Sequence, residues 1–461
     1  MNLVIVLAAL AFLMLAAYRG YSVILFAPIA ALGAVLLTDP SLVPPMFSSV
    51  FMEKMVVFVK NYFPVFMLGA VFGKVIELSG FSKSIVSAVI GVVGKQRAVL
   101  SIVIVCAILT YGGVSLFVVV FAVYPFAAEM FRLSEIPKRL IPCTVALGAF
   151  SFTMDALPGT PQIQNIIPTT FFQTTTWAAP IMGLIGSIFV LLVGLGYIEN
   201  RLRAAHKRGE GYGTELLNEP EPYVGEKLPN PLIALLPLVV VGVANFLLTH
   251  AIVRAYGATH EINLGGHPIV TKVAPLAAIW AVEGALLLGV LTVLVFAWRP
   301  IIAKFADGSK AAVAGALLAS LNTASEYGFG AVIALLPGFV AISGALRAIP
   351  NPLLNEAISV TVLAGITGSA SGGMSIALAA MSDTFIAAAK DANIPLEVLH
   401  RVAAMASGGM DTLPHNGAVI TLLAVTGLTH RQAYMDIFVI TLTKTAAVFF
   451  VIGLYYLTGI Y

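Results

Sequence analysis

Two short blocks hold the residues best placed to do chemistry. One runs Met154-Asp155-Ala156-Leu157-Pro158, the other Met410-Asp411-Thr412-Leu413-Pro414, and they match at four of five positions. Each puts an aspartate just before a helix-breaking proline inside an apolar segment. An acidic side chain in such a segment is costly and is by default a candidate for substrate or proton handling. The alternative is a capping role, in which the aspartate accepts bonds from orphan N–H groups where a helix resumes. His415, the only histidine in either block, adds a group that changes charge near neutral pH. Gly159, Thr160, Gln162, Gln164 and Asn165 follow the first aspartate and Asn416 follows the second, supplying neutral hydrogen-bonding groups. Glu326, in NTASEYGFGAV, is a further proton-carrier candidate, whereas Lys444 either snorkels or pairs and receives no role.

A second pair of blocks precedes the first. TYGGVSLF (110–117) contains Gly112, Gly113 and Ser115, and TGSASGGM (367–374) contains Thr367, Gly368, Ser369, Ser371 and Gly372. Glycine allows tight turns and close backbone approach, and the hydroxyls supply polar contacts. Small residues also serve plain helix packing, but the pairing of the two clusters favours a site. Ser115 lies 40 residues before Asp155, and Ser371 lies 40 residues before Asp411. A weaker echo links Gly69-Ala-Val to Gly330-Ala-Val. Matched blocks at matched spacing indicate an internal repeat.

The elements that position these residues follow from composition. The 461-residue chain is 59% apolar and only 10% charged, with a mean hydropathy of +0.98. Soluble domains carry about 25% charged residues, so a water-soluble enzyme, a nucleic-acid binder and a disordered chain are excluded. Long apolar runs point to helices spanning a bilayer, not to alternating barrel strands. Spans are expected at about 2–18, 22–38, 61–80, 170–197, 231–250, 273–297, 311–346 and 432–459. The first of these lacks a basic stretch before its apolar run and reads as a membrane helix rather than a signal peptide. Cys106 and Cys143 read as buried thiols, no metal-ligand cluster or P-loop is present, and no cofactor is expected.

The remaining apolar regions are interrupted. They predict re-entrant hairpins at about 97–131 and 353–392, and broken helices at about 138–168 and 398–428. The expected fold is an all-α polytopic membrane protein of two inverted repeats. Each repeat has about five transmembrane helices, a re-entrant hairpin and a discontinuous helix. Residues 1–198 form the first repeat, 199–230 a polar linker and 231–461 the second. Arg201, Arg203, Lys207 and Arg208 make the linker cytoplasmic by the positive-inside rule. Both termini then face the periplasm. Arg19, Lys95, Arg97, Arg132, Lys138, Arg139, Arg299, Lys304, Lys310 and Arg431 fall inside. Lys54, Lys60, Arg254, Lys272, Arg347, Lys390 and Arg401 remain outside. Interrupted helices are tolerable in lipid only around a polar cavity, so the two breaks predict one shared site of the kind secondary transporters use.

The blocks DALPGTPQIQN (155–165) and DTLPHNGAVITLLAVTGLTHRQAY (411–434) resemble the gluconate permease (GntP) family of the ion-transporter superfamily, over nearly the whole chain. Within it the sequence is most similar to the D-β-hydroxybutyrate permease branch. The resemblance implies a proton-coupled carrier of the bacterial inner membrane, a homodimer and an elevator-like transport domain. The chain has Leu-Pro-Gly-Thr-Pro at the first break where sugar-acid members show a Pro-Pro-His-Pro type run. At the first hairpin it has Gly-Gly-Val-Ser-Leu-Phe where those members have an acidic residue nearby. These differences favour a smaller acid than gluconate, such as 3-hydroxybutyrate. The expected function is therefore proton symport of a small monocarboxylate. Gluconate transport and sodium coupling are the alternatives; a channel is disfavoured because charge-ring and selectivity-filter signatures are absent, and an enzyme such as an intramembrane aspartyl protease because the repeat by itself accounts for the two aspartates. Gly112, Gly113, Ser115, Gly159, Thr160, Gln162, Asn165, Thr367, Gly368, Ser369, Ser371, Gly372 and Asn416 are the expected substrate contacts. Asp155, Asp411, His415 and Glu326 are the expected proton-coupling groups.

Overall fold

The computed structural model describes residues 2–461 apart from 20, 95–96, 214–216, 221–227, 265–266, 274, 340–343, 345–348 and 415. His415, Lys95 and Arg347 thus lie outside the described residues. The apolar segments are helical, as such sequence in lipid requires: each backbone group must find its partner within the segment. Among the described residues, six helices are long and apolar enough to cross a membrane. The fold is that of an all-α polytopic membrane protein.

The first half contains α1 (Asn2–Tyr18), α2 (Val23–Thr38), a long helical run α3 (Pro40–Leu78) and a short α4 (Phe81–Val93). Helices α5 (Ala98–Tyr111) and α6 (Leu116–Leu133) form the first hairpin. A chain of short helices follows: α7 (Ile141–Ala149), α8 (Phe152–Asp155) and α9 (Ile163–Phe172). Helix α10 (Pro180–Lys207) leads into the linker. The expected span at 170–197 is shifted, because Gln173 and Ala179 adopt left-handed backbone and the chain turns between them. Proline at the first position then starts α10.

The second half contains α11 (Pro231–Tyr256), α12 (Ala277–Ile302) and α13 (Phe305–Leu335). Between α11 and α12 lies an antiparallel ribbon, β1 (Thr259–Leu264) and β2 (His267–Lys272), paired in register Thr259↔Lys272. The ribbon was not foreseen from the sequence. Helices α14 (Pro352–Thr367) and α15 (Ala370–Asp391) form the second hairpin. Helix α16 (Leu396–Ser407) stops at Gly408, α17 (Gly417–Thr426) resumes, and α18 (His430–Thr458) ends the fold.

Side-chain contacts fix which end of the bundle each hairpin enters. At the base of the first, Lys138 Nζ lies 2.7 Å from Glu219 of the linker, and Arg132 pairs with the same carboxylate. The base of the second is tied to the far end of α18, where Tyr456 donates to Asn351 Oδ1 at 3.0 Å. The near end of α18 sits at the linker, since Asn218 donates to Ala424 O at 2.8 Å just before it. Twenty-nine residues of helix span about 43 Å, more than the roughly 30 Å hydrocarbon core. The two hairpins therefore enter from opposite ends, which is the geometry of an inverted repeat.

One basic residue departs from its expected place. Arg401 was assigned to the outer face, yet it is fully buried. It lies on the inward face of the amphipathic α16 and reaches the first break.

Candidate functional site

Both expected breaks are present. In the first half the helix ends at Phe150, restarts briefly, and ends again at Asp155; residues 156–162 are non-helical and contain Pro158, Gly159 and Pro161. In the second half the described residues from 408 to 416 are non-helical and contain the Gly408-Gly409 pair and Pro414. Missing N–H donors and ring clashes account for the prolines. The two breaks meet in space. Gly408 faces the Asp155 carboxylate so closely that a Cβ there would overlap it.

A cavity of about 1070 Å³ lies where the breaks and the hairpin tips converge. Gly113 and Ser115 line it from the first tip, and Thr367, Gly368, Ser369 and Ser371 from the second. Gln162 and Gln164 line it from the first break, and Asp411, Thr412 and Asn416 from the second. Asn322 and Glu326 project from α13. Tyr21, Ser22, Lys74 and Glu77 also line it. Lys74 lies toward the linker end, since Gly308 packs on Leu78 and Lys74 while the adjoining Gly80 packs on Pro229 of the linker. The cavity thus extends toward the linker.

Four helices begin at this cavity. Their N-caps are Ser115 (α6), Gln162 (α9), Ser369 (α15) and Asn416 (α17), all in its lining. Gln162 Nε2 donates to Thr110 O at 2.7 Å and Val114 O at 3.3 Å, and Asn416 Nδ2 donates to Gly368 O at 2.7 Å. Each break is thereby pinned to the hairpin of its own half. These contacts correct the repeat register. Ser115 and Gln162 are 47 residues apart, and so are Ser369 and Asn416. The structural equivalent of Ser115 is Ser369, not Ser371, and the two aspartates are offset by two positions. The Gly69/Gly330 echo marks no shared role: Gly69 lines the cavity, whereas Gly330 packs against Ile376.

The electrostatics centre on buried charges. Lys444 Nζ donates to Asp411 Oδ1 at 2.6 Å and to Phe150 O at 3.0 Å, joining the two breaks. The pairing alternative for Lys444 is the one observed. Arg401 donates to Ala178 O at 2.8 Å, Asp155 O at 3.1 Å, Asn165 Oδ1 at 3.0 Å and Thr176 O at 3.5 Å. Its guanidinium thus takes up the Asp155 carbonyl at the first break and two carbonyls of the turn before α10. Asp155 Oδ2 has no hydrogen-bond partner among the described residues. Glu326 accepts from Ser369, its Oε2 is unpartnered among the described residues, and a Cβ at Gly372 would collide with it.

Several expected contacts support the cavity from behind instead of lining it. Gly112 packs on Leu238, and Gly159 on Trp177, where larger residues would clash. Thr160 Oγ1 donates to Thr153 O. Asn165 donates to Thr160 O and Thr176 O while accepting from Arg401. Gly372 seats Glu326, and Asp155 lies behind Gly408. The sequence reading missed Arg401 and gave Lys444 no role. The only available signal was a lone basic residue in apolar sequence.

A protein of Bacillus subtilis (strain 168) named an uncharacterized transporter, YxjC, is 56% identical over 471 residues, covering 100% of both chains. Among solved structures, the crystal structure of the Alcanivorax borkumensis YdaH transporter is similar at a TM-score of 0.48 and 15% identity, over 92% of this chain and 90% of that one. No family model matches the chain.

Proposed function

The chain belongs to the family of that Bacillus subtilis transporter, and from this premise we propose that it is a secondary carrier coupling proton movement to uptake of a small monocarboxylate, a short hydroxy acid such as 3-hydroxybutyrate. One observation carries the reading: four helix N-termini converge on one cavity. Each contributes the positive end of a helix dipole, and the two first-half starts also leave first-turn N–H groups without a side-chain cap, which together favour an anion. The similarity to gluconate permeases supports the same substrate class.

Proton coupling follows from charge balance. Asp155 and Asp411 are offset by Lys444 and Arg401, all four buried. Glu326 adds a carboxyl to the cavity with no basic partner among the described residues. An ionised Glu326 and a substrate carboxylate would repel each other in a low-dielectric space. A proton on Glu326 removes the repulsion, so anion and proton bind together and cross as a neutral pair. A cavity open on the linker side would be the inward-facing state of an inner-membrane protein with periplasmic termini. Movement of the hairpins and breaks as an elevator-like unit within a homodimer would expose the same site outward.

The test is uptake into liposomes containing the purified protein. An inward proton gradient accelerates 3-hydroxybutyrate uptake, and a protonophore abolishes the acceleration. Uptake indifferent to both refutes the coupling. Faster uptake of gluconate than of any short acid refutes the substrate class.

A further inference from the structure

The four helix N-termini are not equivalent. Those of the second half are closed by their own side chains. Ser369 Oγ accepts from Gly372 N at 3.1 Å, and Asn416 Oδ1 accepts from Ala418 N at 2.7 Å and Val419 N at 3.0 Å. Those of the first half are open: neither Ser115 nor Gln162 makes a side-chain capping bond. Gln162 has its amide turned away, bound to the hairpin carbonyls. The first-turn N–H groups at α6 and α9 are therefore the ones left for a ligand.

Beside them stands Gln164, in the first turn of α9. Its side chain lines the cavity, the residue is only 6% exposed, and its Oε1 is buried without a hydrogen-bond partner among the described residues. Buried polar groups are normally satisfied, and leaving one orphaned costs about 1–3 kcal/mol. The amide bears one acceptor and two donors. A carboxylate alone would satisfy only donors. A ligand with a hydroxyl a few atoms from its carboxylate would give a proton to Oε1 while its carboxylate takes the N–H groups of the helix starts.

We propose that the carboxylate is received by the first-half helix starts at Ser115 and Gln162, and that Gln164 selects hydroxy acids by accepting the substrate hydroxyl. This inference rests on the carrier reading above and adds a division of labour to it. The first half reads the substrate, and the second half, through Glu326, carries the proton. A site built around an acceptor discriminates strongly against the analogue that lacks the donor, because its own buried group is then left unpaired.

The experiment compares binding of 3-hydroxybutyrate and butyrate to the purified full chain by calorimetry, in the wild type, Gln164→Leu and Gln164→Glu. The wild type is expected to prefer the hydroxy acid by about tenfold or more. Gln164→Leu is expected to bring the ratio of the two affinities to about one. Gln164→Glu, which keeps the acceptor but adds a negative charge, is expected to weaken both acids at least tenfold. A preference retained in Gln164→Leu, or lost no further than threefold, overturns the assignment. So does undiminished binding in Gln164→Glu. If Gln164→Leu does not fold, Gln164→Met offers the same shape without the acceptor and the same ratio decides. Failure of the wild type to bind either acid would instead count against the carrier reading itself.

Discussion

Lys444 is the sharpest place to test how the two breaks are held together. Its ammonium is 2.6 Å from Asp411 Oδ1 and 3.0 Å from Phe150 O, and the two side chains are 3% and 5% exposed. Lys444→Met keeps most of the volume and deletes the charge. Asp411 is then an uncompensated buried carboxylate, which costs about 3–5 kcal/mol. The Phe150 carbonyl loses its donor as well, at about 1–3 kcal/mol. The two penalties share one side chain and do not simply add, so the expected loss is about 3–5 kcal/mol, dominated by the charge. Asp411→Leu alone strands the ammonium at a similar cost, whereas the double variant removes both charges. A double-mutant cycle, read by reversible unfolding in mixed micelles with rising SDS, should give a coupling energy of at least about 2 kcal/mol. Should Lys444→Met unfold within about 1 kcal/mol of the wild type, or the double variant be no more stable than the sum of the single losses, the ion pair is not what joins the breaks.

Further outcomes are expected elsewhere. Gly372→Ala places a methyl group against the Glu326 carboxyl and should reduce proton-driven uptake at least tenfold, measured in liposomes against counterflow in the same preparation. Arg401 already fills the Asp155 carbonyl at the first break and the Thr176 and Ala178 carbonyls of the turn beside it, oxygens of the kind a coupling metal ion would use, so replacing choline with sodium should change wild-type uptake by less than twofold. Arg139 donates to both oxygens of Glu210 at the start of the linker and holds its carboxyl below the ordinary value. That tie is complete above the usual glutamate range, about pH 4.5, and is lost as pH falls through the lowered value. Hydrogen exchange over residues 208–213, corrected for intrinsic rate, should therefore show faster opening at pH 3.5 than at pH 7, and Glu210→Gln should be open at both.

Much of this architecture is legible in the chain because its causes are local. Hydropathy over about 20 residues defines a span, and Gly and Pro within one define a hairpin tip or a break. The hairpins at 98–133 and 352–391 and the breaks after Asp155 and Gly408 follow from those rules. The β-ribbon at 259–272 did not emerge, because short strands beside two long apolar helices leave little periodic signal.

The chemistry of the centre was legible only in outline. Sequence comparison aligned Ser115 with Ser371 because identical residue types scored well. The fold aligns Ser115 with Ser369 because each caps the returning arm of a hairpin, and only that register pairs Gln162 with Asn416. Arg401 and Lys444 belong to the second half, yet both bind carbonyls of the first. Their partners are more than 200 residues away in sequence, and no local pattern encodes such a distance. The amino-acid order alone determined a helical membrane protein with two interrupted halves, since solvation acts on each segment separately. Which interruptions face each other, which helix starts stay open and which charges neutralise the centre were decided by packing, where neighbours in space are set by the whole fold.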